Sequence, residues 1–212
     1  MDDRPSDLPA RELLAQLASS APVPGGGSAS ALAGAMGAAL IHMVVSLSTG
    51  RPGATQHEAS LTEIGLAAAE LQSELTTLAD LDAVAYDAVV RARRLPKASD
   101  REQQLRAAQL AGAVREATRV PLDTVHRASE VLALAERLTP IGNGNAISDV
   151  GVGGLLAGAA MRGAALNVRI NLPSLAADDP LATEAPAALE ALLVDIDARE
   201  AAVREAVEAR IG

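Results

Sequence analysis

Two long stretches of this chain carry almost no charge, and each begins directly after a glycine-rich loop. Residues 29–47 contain no charged side chain, and residues 146–168 contain very few. Alanine and glycine dominate both stretches, and because alanine favours helices over strands, both are predicted to be helical. A helix that is apolar on all sides is typical of the centre of a bundle or of a membrane span. The many small residues give weak membrane insertion, which favours the buried bundle helix.

The composition excludes several classes of function. The 212 residues include 27 Asp+Glu and 18 Lys+Arg, a net charge of −9, which argues against a nucleic-acid-binding surface. The chain has no Cys, Phe or Trp, which removes thiol nucleophiles, disulfides, cysteine-ligated metals and the aromatic platforms of single-strand binders. We therefore expect no nucleic-acid partner and no membrane partner. Residues 1–5 lack the pattern of a signal peptide, so a cytoplasmic protein is expected.

Helix and loop signals alternate along the chain and predict one all-α domain over residues 1–212. Alternating runs of β-branched residues, which would indicate strands, are nearly absent. Ser28 is a predicted N-cap, Ser99 begins a capping-box pattern, and Pro121 predicts a kink or a break. Helices are predicted at residues 8–19, 29–47, 58–94, 99–137, 146–168 and 179–210, with a loop at residues 49–57.

The two glycine-rich loops are the first candidate binding sites. Residues 24–28 and 139–145 each precede one of the uncharged helices. Helix N-termini present unpaired backbone N–H groups and a positive dipole end, which attract carboxylates, phosphates and carbonyl oxygens. Neither loop has the lysine of a Walker motif or the strand context of a dinucleotide fingerprint. An ordinary capped loop remains the alternative interpretation of each.

An aspartate and a tyrosine inside an apolar helix form the second candidate site. Asp82 and Tyr86 are four residues apart and share one face of the predicted helix, whereas Asp80 and Asp87 point elsewhere. A carboxylate partly buried among alanine and valine has a raised pKa and can act as a general acid or base. A solvated helix face is the commoner role for such an aspartate. The three histidines lack metal-ligand spacing, so no metal site is predicted.

Small residues recur at helical spacing in both uncharged stretches. Such positions allow two helices to pack unusually close, which supplies the core that bulky side chains would otherwise fill. The same surfaces can form a homodimer interface. The positions are Ala33, Gly37 and Ile41 in the first stretch and Gly154, Gly158 and Arg162 in the second.

Several short motifs occur in a fixed order between residues 10 and 175. They are APVPGGGSASA (21–31), GAMGAAL (34–40), DAVAYDAV (82–89), LPK (95–97), VPL (120–122), GNAISDVGV (144–152) and AALNVRIN (164–171). In this order they resemble the cyclodeaminase/cyclohydrolase family. That family contains the cyclodeaminase half of formiminotransferase-cyclodeaminase and the stand-alone methenyltetrahydrofolate cyclohydrolases, whose length this chain shares.

The resemblance implies a mostly antiparallel helical bundle that forms a homodimer, with the folate groove at the subunit interface. It also implies chemistry on a tetrahydrofolate derivative as substrate, without a metal or a separate cofactor. The family's catalytic acidic residue matches Asp82, and Tyr86 is expected to help position it. The residues expected to bind substrate are Pro24, Gly25, Gly26, Gly27, Ser28, Tyr86, Lys97, Asn145, Ser148, Asp149 and Asn167.

The reaction expected from the resemblance is hydrolysis of 5,10-methenyltetrahydrofolate to 10-formyltetrahydrofolate. Water adds to the bridging carbon, and the bond from that carbon to N5 then opens. An aspartate can move the protons while its charge stabilises the amidinium-like cation. One alternative is cyclodeamination of 5-formiminotetrahydrofolate, in which N10 attacks the formimino carbon and ammonia leaves. Another is a non-catalytic helical dimer that retained the fold.

Overall fold

The computed structural model describes residues 4–51 and 55–211, and these residues form helices without any strand. The prediction of an all-α fold is confirmed. The first three residues, residues 52–54 of the predicted loop and residue 212 lie outside the described part. The α-helices are α1 (Ala10–Leu17), α2 (Gly26–Ser48), α3 (Glu58–Arg94), α4 (Asp100–Leu138), α5 (Ile147–Asn171), α6 (Leu181–Leu193) and α7 (Ile196–Ile211). Single 3-10 turns lie at Pro5–Asp7, Thr55–His57, Gly144–Ala146 and Leu172–Ser174.

The two uncharged stretches form α2 and α5, which pack directly on each other. A Cβ at Gly37 would lie 2.8 Å from the carbonyl oxygen of Gly153, so this close approach requires glycine. The close packing predicted from Gly37 is therefore present, whereas Gly154 and Gly158 of the second predicted set face Val203 and Glu200 of α7. Gly26, early in α2, lies beside Asn167, late in α5, so these two helices run in opposite directions.

The core is built from aliphatic side chains and alanine, contributed mainly by the four long helices α2 to α5. Long aliphatic residues fill the space between the helices, and alanines occupy the positions of closest approach. The largest fully buried side chains include Ile41, Leu61, Ile64, Leu75, Leu132, Leu138, Ile147 and Met161.

The uncharged helices are less buried than their sequences suggest. Among the described residues, α2 is the one helix that is long and apolar enough to cross a membrane, and half of its most apolar window is buried inside the fold. Full burial was expected for both helices and is wrong for one face of each: Met36 and Leu166, for example, are more than half exposed. The physical reason is that α3, α4 and α5 surround α2 on only part of its circumference.

Predicted and observed helix ends differ by up to three residues, and two differences change an interpretation. The second helix begins at Gly26 with Gly25 as its N-cap, so Ser28 lies inside the first turn and is not the cap. The tail forms α6 and α7 instead of one helix, with the break at Val194 and Asp195. Neither glycine nor proline marks that break. The signal that was available is Asp195, a residue type that often precedes the first turn of a helix.

Pro121 does not break α4, which runs from Asp100 to Leu138 as one helix. Proline has no N–H to donate to the carbonyl four residues earlier, which is that of Ala117. The side chain of Asn171, at the end of α5, donates to this carbonyl oxygen at 2.7 Å and replaces the missing donor. The capping box predicted at Ser99 is confirmed.

Candidate active site

A cleft beside the first turn of α2 brings the first glycine loop and Asp82 together. Its volume is about 400 Å³. Four parts of the chain meet here: the loop before α2, one face of α3, the middle of α4 and the C-terminal end of α5. The lining residues are Pro22, Val23, Gly25, Gly26, Gly27, Asp82, Tyr86, Arg93, Ala117, Asn167, Ile170, Asn171 and Ser174.

The carboxylate of Asp82 lies directly over the backbone of Gly27. A Cβ at Gly27 would lie 2.6 Å from Asp82 Oδ2, closer than non-bonded atoms approach, so this position requires glycine. Gly27 belongs to the first turn of α2, where backbone N–H groups lack helical partners and the dipole has its positive end. A negative charge on Asp82 is therefore held where a helix stabilises it best.

Ser28 links this carboxylate to the backbone of α3. Its side chain is fully buried, and Oγ lies 3.1 Å from Asp82 Oδ2 and 2.9 Å from the carbonyl oxygen of Ala79. A hydroxyl has one hydrogen, and the Ala79 oxygen can only accept. Ser28 can therefore donate to ionised Asp82, or donate to Ala79 while it accepts from protonated Asp82. The same hydroxyl serves both protonation states.

Burial raises the pKa of Asp82 above its ordinary value, and hydrogen bonds from the hydroxyl and the backbone N–H of Ser28 lower it in part. A raised pKa suits a carboxyl group that must both take and return a proton near neutral pH. The neighbouring aspartates have structural contacts. Asp80 accepts from the backbone and hydroxyl of Ser6 at 2.9 and 2.6 Å, and Asp87 pairs with Arg91 at 2.5 Å.

Tyr86 and Arg93 continue the face of α3 on which Asp82 lies. At about 100° per residue, positions four and eleven residues after Asp82 fall within about 40° of it around the helix. Both side chains line the cleft. Sequence reasoning identified Tyr86 and missed Arg93. The available signal was the seven-residue spacing between them, which places both on one face.

The other predicted binding residues of this region fall into two groups. Gly25, Gly26, Gly27 and Asn167 line the cleft together. Pro24 belongs to the loop before α2 but is buried, and Ser28 lies behind Asp82. Neither residue contributes to the cleft surface. Lys97 is exposed in the turn between α3 and α4, outside the lining.

Asn145, Ser148 and Asp149 lie at the opposite end of the bundle. The loop before them is tied to the last residue of α2, because the backbone N–H of Asn143 donates to Ser48 Oγ at 2.8 Å. Asp149 lies eighteen residues before Asn167, the first residue of α5 in the cleft lining, which is about 27 Å along the helix axis. The expectation that both glycine loops bind one ligand is therefore not met within a single chain. Because α2 and α5 run in opposite directions, their N-termini lie far apart.

The described residues contain no group of three His, Asp or Glu side chains that could hold a metal ion. His42 Nδ1 lies 2.9 Å from the carbonyl oxygen of Gly65, a contact that occupies one ring nitrogen. This histidine therefore has an ordinary structural partner.

A larger groove of about 720 Å³ lies between the last turns of α3 and the first half of α4. Its lining is mostly aliphatic, with Leu81, Val84 and Leu105 among the exposed side chains. The charged residues at its edge, such as Arg119 and Glu116, pair with each other at 2.7 Å. The groove therefore offers apolar surface but no group suited to acid–base chemistry, and the smaller cleft is the candidate active site.

Known proteins resemble this chain over most of its length. The family model of formiminotransferase-cyclodeaminase matches residues 9–191. A methenyltetrahydrofolate cyclohydrolase from Methylorubrum extorquens is 43% identical over 195 residues, covering 92% of this chain and 93% of that protein. The formimidoyltransferase-cyclodeaminase of Sus scrofa is 31% identical over 202 residues, covering 95% of this chain. The chain spans 37% of the length of that second relative.

A solved structure shares the fold over nearly the whole chain. The crystal structure of formiminotetrahydrofolate cyclodeaminase from Thermotoga maritima matches with a TM-score of 0.85 and 27% identity. The match covers 97% of this chain and 98% of that one. The sequence match and the shared fold together show that this chain belongs to the formiminotransferase-cyclodeaminase family.

Proposed function

We propose that this chain is a folate one-carbon enzyme that hydrolyses 5,10-methenyltetrahydrofolate to 10-formyltetrahydrofolate, with Asp82 as its general acid and base. The observation that carries the proposal is the position of Asp82, half-buried in the cleft over the first turn of α2. The relative that is 43% identical over 92% of this chain bears the name methenyltetrahydrofolate cyclohydrolase, which supports the same substrate.

The first step is the addition of water to the bridging carbon. The substrate carries a positive charge shared by N5, this carbon and N10, and ionised Asp82 attracts that charge. As the water oxygen bonds to the carbon, Asp82 accepts one water proton. The N5–carbon–N10 group is then neutral, and the protonated carboxyl can donate to Ser28, whose hydroxyl turns toward Ala79.

The second step opens the ring. Asp82 returns its proton to N5 as the bond between N5 and the carbon breaks. The hydroxyl on that carbon loses its proton to solvent and becomes the formyl carbonyl on N10. The balance is one water consumed and one proton released, and Asp82 ends ionised. No electron transfer occurs, so the reaction needs no redox cofactor, and we propose that Asp82 moves both protons without a metal.

The glycine loop and the end of α5 would hold the pterin beside Asp82. Gly25 and Gly26 expose backbone to the cleft, and Asn167 lines it beside Gly26. Asn167 Nδ2 donates to the carbonyl oxygen of Gly163 at 2.9 Å, which directs its amide hydrogen into its own helix. Its carbonyl oxygen can then accept from a pterin N–H group. Tyr86 adds the one aromatic surface of the cleft.

Cyclodeamination of 5-formiminotetrahydrofolate is the second candidate. The observation that favours it is the TM-score of 0.85 with the cyclodeaminase from Thermotoga maritima. In that reaction Asp82 would take the N10 proton as N10 attacks the formimino carbon and would give a proton to the departing ammonia. The same carboxyl therefore suits either substrate.

We also propose that the chain forms one mostly antiparallel helical domain and associates as a homodimer through α2 and α5. Both α2 and α5 expose a stripe of apolar side chains at helical spacing. On each helix, the stripe lies to one side of the face that contacts the other helix, and the direction of this displacement around the helix is the same in both. Because the helices run oppositely, both stripes lie on the same side of the pair. Exposed apolar faces of this kind mark association surfaces. The stripes include Met36, Met43, Leu47, Val152, Leu155, Leu166 and Ile170.

The proposed dimer would place the partner at the mouth of the cleft, because Ile170 belongs to both the stripe of α5 and the cleft lining. A buried dimer face also accounts for the absence of charge along α2, since no charged side chain would be left in the contact. A cytoplasmic location stays a prediction from the sequence.

The central experiment follows the loss of methenyl absorbance with wild type and with Asp82→Asn. Removal of the acid–base group should lower kcat by about a hundred-fold or more. Asp87→Asn is the matched control, because it removes the same charge from the same helix outside the cleft. Ammonia release from formiminotetrahydrofolate, measured in parallel, decides between the two substrates. A near-wild-type rate for Asp82→Asn would overturn the assignment.

A further inference from the structure

Among the described residues that line the cleft, Arg93 is the one cation. Many arginines of this acidic chain pair with carboxylates, as Arg162 does with Glu200 and Arg199 with Glu136. Within the described residues, the guanidinium of Arg93 makes no ion pair, although carboxylates outnumber cations. An arginine left without a carboxylate and placed in a cleft is available to an anionic ligand.

Arg93 lies at a defined distance from the acid–base group. The eleven residues that separate it from Asp82 correspond to about 16 Å along α3, and both residues lie on the same face of that helix. The Cα–Cβ bonds of Asp82 and Arg93 tilt in the same direction along α3, so their Cβ atoms are as far apart along the helix axis as their Cα atoms. The cleft therefore has a carboxylate at one end and a fixed positive charge at the other.

From this arrangement we infer that Arg93 binds a glutamate carboxylate of the folate substrate and so fixes the direction in which the substrate lies in the cleft. The inference rests on the proposed function. The methenyl cation lies between the pterin and the aminobenzoyl ring, and the glutamate follows that ring. With the cation beside Asp82 and the glutamate beside Arg93, each charge of the substrate meets its opposite. The reversed orientation would pair like charges at both ends.

Arg93 and two neighbouring arginines lie in the last turn of α3. Arg91, Arg93 and Arg94 all complement the negative end of the helix dipole. Arg91 pairs with Asp87 and lines the neighbouring groove, and Arg94 does not line the cleft. Only Arg93 combines the helix end with the cleft, so Arg94 provides a control of equal charge one residue away.

The test compares two substrates, 5,10-methenyltetrahydrofolate and 5,10-methenyltetrahydropteroate, which lacks the glutamate. Wild type should prefer the folate by about ten-fold in kcat/KM, the effect of one hydrogen bond to a charged group on a partly exposed site. Arg93→Gln should remove most of this preference by raising KM for the folate, with a much smaller effect on the pteroate. Arg93→Lys should restore part of it, and Arg94→Gln should keep the wild-type preference.

The outcomes separate this inference from the proposed function. Turnover of both substrates by wild type without preference, or an equal loss of preference in Arg93→Gln and Arg94→Gln, overturns the role of Arg93 and leaves the proposed reaction standing. Turnover of neither substrate overturns the proposed reaction and this inference together. Melting curves establish that each variant is folded, which is expected because both arginines are exposed.

Discussion

Gly27 holds the closest contact in the candidate active site, and a single added carbon tests it. In Gly27→Ala the new Cβ would lie 2.6 Å from Asp82 Oδ2, so the carboxylate must move away from the first turn of α2. A displacement of this size in an acid–base group should lower kcat by about a hundred-fold. Gly112→Ala on α4, whose Cβ would have open space around it outside the cleft, should lose far less. Equal activity losses in the two variants would argue against the contact.

Ser28→Ala tests whether the buried hydroxyl sets the protonation of Asp82. The ionised carboxylate starts the proposed reaction, so kcat/KM should rise with pH through the pKa of Asp82. The bond from Ser28 lowers that pKa, so its loss should raise the pKa further and move the rise in kcat/KM to higher pH. At pH values below this rise, kcat/KM of Ser28→Ala should be lower than that of wild type by about ten-fold or more.

Ser30→Ala is the control for that experiment. Ser30 is also buried on α2, but its hydroxyl donates to the carbonyl of Gly26 in its own helix at 2.7 Å. Its removal should change stability without moving the pH profile. A profile that is unchanged in Ser28→Ala, or shifted equally in both variants, would contradict the role of Ser28.

At the residue scale, the sequence predicted the candidate acid, Asp82, but not which residues surround it. The four-residue spacing placed Asp82 and Tyr86 on one face, and the structure retains that face. Helical spacing contains no information about which residue of another helix lies behind a carboxylate. For that reason Ser28 was assigned to substrate binding and is instead buried against Asp82.

At the scale of elements, Pro121 and Asn171 form one unit across α4 and α5. The proline frees the Ala117 carbonyl, and Asn171 supplies the donor at 2.7 Å. Asn171→Ala should therefore cost about 1–3 kcal/mol in the free energy of unfolding, because a half-buried carbonyl loses the side-chain donor that replaces the missing N–H. In a Pro121→Ala background the backbone N–H returns, so the same change should cost much less. Chemical denaturation of the four proteins measures this coupling, and additive effects would contradict it.

The order of the helices along the chain was predictable from the sequence, whereas the direction of α5 relative to α2 was not. Alanine-rich composition and loop residues located the long helices, and Ser99 marked the start of α4. Two glycine loops followed by similar helices suggested one shared site. The direction of α5 relative to α2 depends on contacts such as Gly37 with Gly153, which are distant in sequence. A pattern within each segment therefore could not show that the second loop lies at the other end.

At the scale of the whole molecule, the fold of a single chain leaves an apolar face of α2 and an apolar face of α5 exposed to solvent. Composition predicted the all-α class because alanine favours helices and alternating β-branched runs are nearly absent. It could not show which faces of these helices contact the rest of the chain and which a second copy would cover. Hydrophobic periodicity vanishes in a helix that is apolar on all sides, so this information is absent from the pattern.

Met36→Glu tests the proposed dimer. Met36 is the first residue of the α2 stripe and is 54% exposed, so a glutamate there should fold with little strain in the single chain. In the dimer each subunit would bury this charge against an apolar face, which should weaken association by about a hundred-fold or more. Leu66→Glu, at a 70% exposed position on α3 outside the stripes, is the matched control and should associate as wild type does. Sedimentation equilibrium at micromolar concentration distinguishes the species. A monomeric wild type, or a Met36→Glu variant that still dimerises, would contradict this interface.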